Sequence, residues 1–401
     1  MSVDIIQGDA LDLPLADDSV DLVVTSPPYF GLRSYQDGGE HYDGQIGDEP
    51  TPAEFVDALI AATREMVRVV KPSGSIFVNL GDKYNAYNGN RGNGAIQDNR
   101  PRPTLPTGSG LDVQTIRPKS LIGVPWRYAI RCIDDLGLIL RAEIIWSKPN
   151  GLPESVTDRV RRSHETWFHF TLAPRYFFAV DEIREPHVAD AWRGGARKMK
   201  GDAVVANKND EHRGLTPENW QHPLGKFPGS VWTIPTQPLI VPDHLGVDHF
   251  AAFPMEWPRR IIRGWSPEGV CMACGQGRRP VTVTDLGRKE RDTPVYGAGN
   301  HGQSTTLGSR GPSATITGYA CGCPEPTADT TPAVVLDPFG GTGTTALVAH
   351  ALGRHGISVD LSADYCRLAR WRTTDPGEIA RARQQPKPKP VVIHQDQEVL
   401  W

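Results

Sequence analysis

The sequence predicts an α/β fold built on a mostly parallel, doubly wound sheet, and three observations predict it. Short β-rich apolar runs alternate with a helical stretch over residues 3 to 82. Two such runs, Val20-Asp21-Leu22-Val23-Val24 and Ala333-Val334-Val335-Leu336, give way at once to loops of unusual composition. Those loops lie more than 300 residues apart, yet in a doubly wound sheet ligands bind at the carboxyl ends of the strands, where strand order reverses. Two such loops can therefore face one cleft.

The elements follow in order. Val3-Asp4-Ile5-Ile6 and Val20 to Val24 read as strands, and Pro52 to Val70 as a helix. Thr51 before Pro52, with Glu54 at the third helical position, makes a capping box for that helix. Ser75-Ile76-Phe77-Val78-Asn79-Leu80 closes a βαβ unit. Residues 85 to 118, rich in Gly, Asn, Pro and Arg, read as a long mobile loop. A helix is expected from about Val124 to Leu136, then strands at Leu138 to Trp146 and Phe168 to Val180. The organisation that results places a first catalytic half in 1 to 180, an irregular polar insertion in 181 to 230, and a second half in 231 to 268 and 327 to 382. A cysteine-flanked insertion fills 269 to 326, and a tail with the run Gln384-Gln385-Pro386-Lys387-Pro388-Lys389-Pro390 fills 383 to 401.

Composition excludes several classes of function. With 38% apolar residues among 401, and no uninterrupted apolar run near 18 residues, no membrane span is expected. Met1-Ser2-Val3-Asp4 lacks the basic start and apolar core of a secretory signal, which points to the cytoplasm. A net charge of -4 argues against coating nucleic acid through bulk charge but permits a local basic face. Six cysteines are too few for a disulfide scaffold in a chain of this length, and four of them form two close pairs.

The second loop, Asp337-Pro338-Phe339-Gly340-Gly341-Thr342-Gly343-Thr344-Thr345, has the chemistry of a cofactor loop. Glycines after a strand allow close backbone approach, and a helix starting at Thr344 offers free N–H groups. The next strand, Gly356-Ile357-Ser358-Val359, ends at Asp360, placed to hold ribose hydroxyls. No Lys follows the last glycine as a Walker loop requires, so dinucleotide binding is the competing ligand reading and a plain strand-to-helix turn the structural one.

The first loop, Thr25-Ser26-Pro27-Pro28-Tyr29, is what dinucleotide binding leaves unexplained. An exocyclic amino nitrogen on cytosine or adenine is a poor nucleophile because its lone pair is conjugated into the ring. Acceptors on its N–H groups can draw it toward sp3 geometry, and Ser26 Oγ with the Pro27 carbonyl are the candidates. Pro27 and Pro28 stiffen the loop, and Tyr29 is placed to stack on a base rotated out of the helix. The plain alternative is a Pro-Pro turn with a packed tyrosine.

With these residues in place the chain resembles the β group of site-specific DNA amino-methyltransferases, in which the catalytic motif precedes the cofactor motif in a circularly permuted order. Seven stretches match in family order: Gly8-Asp9-Ala10, Thr25 to Tyr29, Val70 to Ser75, Ile145 to Asn150, Ser163 to Thr166, His249 to Pro254 and Asp337 to Thr345. The resemblance implies a Rossmann-like methyltransferase sheet with S-adenosylmethionine as cofactor and duplex DNA as partner. It further implies cofactor contacts from Asp9, Phe253, Pro254, Asp337, Pro338, Phe339, Gly341, Gly343, Thr344 and Asp360. Ser at position 26 points to cytosine N4, with adenine N6 as the alternative. Cytosine C5 chemistry is set aside, because it uses a nucleophilic Cys after Pro and the chain has no Pro-Cys dipeptide. The resemblance leaves room for a homodimer, for a separate cognate restriction endonuclease, and for a non-catalytic DNA-binding module of the same fold.

Arg159, Arg161 and Arg162 form a stretch suited to phosphate contact or guanine recognition. Residues 181 to 230, with Arg193, Arg197, Lys198, Lys200, Lys208 and Arg213, are the candidate for target-sequence recognition. Cys271-Met272-Ala273-Cys274 and Cys321-Gly322-Cys323 suit a structural zinc knuckle, with free or redox-active thiols as the alternative. Cys132 and Cys366 read as core.

Overall fold

The computed structural model describes residues 3–31, 36–37, 40–41, 44–85, 116–151, 153–186, 222–247, 252–285, 313–324 and 328–386. Most of the 85–118 loop, residues 187–221 of the expected recognition insertion with all six of its named basic residues, and the tail beyond 386 lie outside the described residues.

Eight strands form one sheet in the order β1, β14, β13, β2, β5, β7, β6, β8. These are Val3–Gln7 (β1), Val20–Thr25 (β2), Val70–Leu80 (β5), Ile139–Ser147 (β6), His164–Thr171 (β7), Val231–Thr233 (β8), Val334–Asp337 (β13) and His355–Asp360 (β14). The first five in spatial order pair in parallel. β7 runs against both β5 and β6, and β8 is again parallel to β6. Three two-stranded ladders lie outside the sheet: Gln36–Asp37 (β3) with Glu40–His41 (β4), Val270–Cys271 (β9) with Thr330–Thr331 (β12), and Arg279–Asp285 (β10) with Ser313–Ala320 (β11).

Both sheet faces are covered, which is why β2 is a continuous apolar run buried at every position. Val20 and Val23 join a core with helices α1 (Pro52–Val69) and α2 (Val124–Leu136). Leu22 and Val24 join the opposite core with helices α3 (Glu256–Trp265) and α4 (Thr344–Ala351). Helices α5 (Ala363–Thr374) and α6 (Pro376–Ala382) complete the described elements. On the α3 face Trp257 stacks between Trp167 and Trp232, each with ring centroids 4.9 Å away.

Local signals account for most helix ends. The Thr51 hydroxyl accepts the Glu54 N–H at 3.2 Å, a cap of about 1 kcal/mol. Helix α2 starts after Gly123, which has no capping side chain, so the Asp82 carboxylate supplies the acceptor, taking the Gly123 N–H at 3.1 Å. Gly137 ends it in the left-handed region at φ 65°.

The expected strand from Phe168 to Val180 is corrected: β7 stops at Thr171, and Val180–Glu182 is a 3-10 turn. Pro174 interrupts the ladder, having no N–H and a fixed φ. Tyr176 to Phe178 remain apolar because their rings pack, Phe178 stacking on Trp265 at 4.9 Å. Burial without strand pairing produced the misleading pattern.

His169, in β7, stacks on Phe77 at 4.3 Å with Nε2 3.1 Å from Ser75 Oγ. Burial, then the charge of Arg141, lowers its pKa to about 3. Unfolded, the ring takes up a proton near pH ~6.5, whereas the folded ring stays neutral. The stability it contributes above that pH is therefore lost as pH falls from about 6.5 toward 3. A His169→Phe variant should lose this slope. Its urea unfolding free energy should change by about 2 kcal/mol less than the parent's between about pH 7 and about pH 5, and identical slopes would refute the assignment.

Candidate active site

β13 and β2 lie side by side and parallel, Val335 opposite Leu22 and Leu336 opposite Val23. The loops after Asp337 and Thr25 consequently leave the same edge of the sheet. From there β2 leads through α1 to β5 on one side, while β13 leads through α4 to β14 on the other. The two loops thus flank the point where strand order reverses, the place where open α/β sheets bind ligands.

Asp337 joins them. Its carboxylate accepts the Thr25 hydroxyl at 2.6 Å, the Thr345 hydroxyl at 2.9 Å and the Phe339 N–H at 3.2 Å. Only 1% of it is exposed, and burial pushes its pKa up to about 6 although each of these donors works against the rise. The first contacts of this residue are protein groups from both motifs.

A cleft of about 750 Å3 opens above this joint. Its volume is in the range of small-molecule sites. Of the expected cofactor residues, Asp9, Phe253, Pro338, Phe339, Gly341, Thr344 and Asp360 line it. Pro254, Asp337 and Gly343 stand behind the wall. Gly343, at φ 71°, is instead the left-handed residue that opens α4, and a side chain there would run into Ala369. Gly340 is required by close approach, since a Cβ would fall 1.8 Å from Ser358 Oγ.

The loop is braced on both sides. Asp360 accepts the Gly341 N–H at 2.7 Å and the Ser362 N–H at 2.9 Å, so the end of β14 is tied to the glycine turn. From behind, the buried Arg372 guanidinium donates to the Thr342 and Thr344 hydroxyls at 2.8 and 2.6 Å and pairs with Glu378 at 2.8 Å.

Ser26, Pro27, Pro28 and Tyr29 form the opposite wall with Asn79, Lys148 and Glu165. Asn79 Nδ2 donates to the Thr166 carbonyl at 3.1 Å, which turns its Oδ1 toward the loop. Ser26 Oγ lies 3.4 Å from that oxygen and the Tyr29 hydroxyl 2.8 Å from it. The same hydroxyl lies 2.8 Å from Glu165 Oε2, and Glu165 pairs through its other oxygen with Lys148. The Tyr29 ring packs against Gly81, where a Cβ would come within 2.6 Å of it.

The model of the DNA methylase family of N6 and N4 methyltransferases matches residues 20–273 and 330–370. The chain belongs to that family. It is 36% identical to the Type II methyltransferase M.XycI of Xanthomonas campestris pv. cyanopsidis over 271 residues, 66% of this chain and 72% of that one. It is 30% identical to the Type II methyltransferase M.SmaI of Serratia marcescens over 379 residues, 92% of this chain and 90% of that one. Among solved structures, the PvuII DNA methyltransferase (cytosine-N4-specific) shares the fold with a TM-score of 0.52 and 17% identity, over 96% of this chain and 92% of that one.

Elsewhere in the methylase, the three expected DNA-contacting arginines differ in their surroundings. Arg159 pairs with Glu154 at 2.8 Å and lies 3.7 Å over the Tyr84 ring. Arg162 faces Asp82 at 3.6 Å, and Arg161 is exposed. The four expected metal ligands, Cys271, Cys274, Cys321 and Cys323, come together with all sulfurs within 4.8 Å of one another. Among the described residues no helix is long and apolar enough to cross a membrane.

Sequence reasoning left Asn79, Lys148, Glu165 and Arg372 out of the methylase's site. Asn79 had a signal, being the one amide inside the apolar run Ile76 to Leu80. Lys148 and Glu165 sit inside family-matching stretches, but their meeting across the sheet is written nowhere in the local pattern.

Proposed function

We propose that this methylase transfers a methyl group from S-adenosylmethionine to the exocyclic N4 of a cytosine rotated out of duplex DNA, through a Thr-Ser-Pro-Pro-Tyr pocket read in permuted order. The observation that carries the reading is the Asp337 joint, which holds the Ser26 loop and the glycine loop on one cleft.

The residues fit the cofactor. The glycine turn leaves room for close approach, Asp360 offers a carboxylate at the end of β14 for ribose hydroxyls, and Phe339 and Phe253 supply apolar wall. Asp9 suits an adenine amino group. Bound there, S-adenosylmethionine supplies an electrophilic methyl group.

The protein's own part concerns the amino nitrogen. Asn79 Oδ1 is the acceptor for the Ser26 hydroxyl proton, which leaves the lone pairs of Ser26 Oγ free to face the N–H groups of the target. With the Pro27 carbonyl they draw those protons and raise the nitrogen's nucleophilicity. The hydrogen bonds of Tyr29 to Asn79 and Glu165 hold its ring as a rigid stacking surface for an extruded base.

Serine at position 26 favours cytosine N4. The solved structure of like fold is itself described as cytosine-N4-specific, which agrees with the choice. The relatives' description as Type II methyltransferases suggests a sequence-specific enzyme with a separate endonuclease partner.

Nucleoside mass spectrometry of unmodified duplex DNA, after incubation with the purified protein and S-adenosylmethionine, tests the reading. N4-methylcytosine is the expected product. N6-methyladenine would overturn the base assignment, and no methylation of diverse DNAs would overturn the activity.

A further inference from the structure

The cysteine cluster lies far along the chain from both motif loops and plays no part in the chemistry above. Cys271 closes β9 and Cys274 follows on a tight turn, where the Gly275 N–H bonds the Cys271 carbonyl at 2.8 Å with Gly275 at φ 69°. Cys321 and Cys323 follow directly on β11. Because Arg279 pairs with Ala320, all four residues stand at the foot of the β10–β11 ribbon.

The spacing of the sulfurs identifies their use. Cys271 Sγ is 3.8 Å and Cys321 Sγ 3.5 Å from Cys323 Sγ. A tetrahedron of thiolates with metal–sulfur bonds of about 2.3 Å has edges of about 3.8 Å. A disulfide would bring one pair to about 2.05 Å. Backbone N–H groups of Ala273 and Cys274 point at the Cys271 sulfur, and that of Cys323 at the Cys321 sulfur. Such donors stabilise thiolate charge around a cation.

The ribbon also needs a staple. A lone two-stranded ribbon is marginal in water, and Val281 and Val283 here are 43% and 57% exposed. Its other ties are few: Arg279 donates to the Phe178 carbonyl at 2.9 Å, and Tyr319 bonds Glu182.

We infer that Cys271, Cys274, Cys321 and Cys323 bind one structural Zn2+ in a closed tetrathiolate site that fixes the foot of the β10–β11 ribbon to the main fold. Four protein ligands leave no open position, so the metal takes no part in methyl transfer. Loss of the metal frees the ribbon while the eight-stranded sheet stays folded, since none of these cysteines contributes to that sheet. The inference stands whether or not the methyl-transfer reading holds.

The experiment uses the full chain expressed with zinc supplied, its metal content measured by plasma mass spectrometry and its thiols by intact-mass analysis. About one zinc per chain and no disulfide are expected. A Cys321→Ser/Cys323→Ser variant should carry no zinc and should show faster amide exchange across residues 313 to 320. Exchange in β2, β5 and β13 should stay as in the parent. Cobalt substitution of the parent should give the visible bands of tetrahedral sulfur ligation. A parent without metal, a linked cysteine pair, or a double variant that retains its zinc would each overturn the inference. So would octahedral cobalt spectra.

Discussion

Replacing Ser26 with alanine should slow methyl transfer by roughly a hundredfold to a thousandfold, the usual loss when one placed polar group is removed from a reacting centre. Ser26 Oγ is the side-chain oxygen of the Thr25 to Tyr29 loop that can take an N–H of the target, and Asn79 Oδ1 directs its proton away. The hydroxyl is remote from the covalent structure of the fold, so stability should barely change, and affinity for S-adenosylmethionine should stay within about twofold because the cofactor wall is untouched. Single-turnover transfer of labelled methyl, measured beside calorimetric titration of cofactor, separates the two. A variant at full rate would remove Ser26 from the chemistry. One that loses cofactor binding in proportion to rate would make the residue a wall of the cofactor site instead.

Replacing Asp337 with alanine should affect everything at once. The change leaves the Thr25 and Thr345 hydroxyls and the Phe339 N–H without their acceptor in a buried place, a cost of about 3 kcal/mol in unfolding free energy. It also unties the two loops, so cofactor affinity and transfer rate should fall together. An unchanged urea midpoint with full activity would show that the joint is dispensable. Asp337 further gives the protein a definite pH response. Its carboxyl, at about 6 folded and ordinarily near 4, holds its proton more tightly in the folded state. It therefore favours folding at low pH, and that contribution is lost as pH rises through about 6. Asp337→Asn should remove this response, worth roughly 3 kcal/mol at most. His169 acts in the opposite sense over an overlapping range, so the two are separable only in single variants.

Much of this molecule was legible because its signals are local. The helix at Pro52 is announced by Thr51 and Glu54 within one turn, and the helix from Val124 to Leu136 by its periodicity and the following Gly137. The glycine turn and Asp360 were readable as a strand, a loop and the end of the next strand. Where packing imitates pairing, local reading failed: Tyr176 to Phe178 are apolar for the sake of Trp265, not of a ladder.

By itself the sequence determined the α/β class, the two motif loops and the four cysteines, because each depends on residues a few positions apart or on composition alone. Tertiary structure decided what meets. Antiparallel β7 between β5 and β6 sets Leu80 opposite Thr166 and Trp146 opposite Glu165, which carries Asn79, Glu165 and Lys148 to one wall. The pairing of β13 with β2 likewise turns Asp337 from an expected cofactor contact into the tie between the loops. Such registers are set by burying both faces of a shared sheet, a condition on the whole chain that no short window contains.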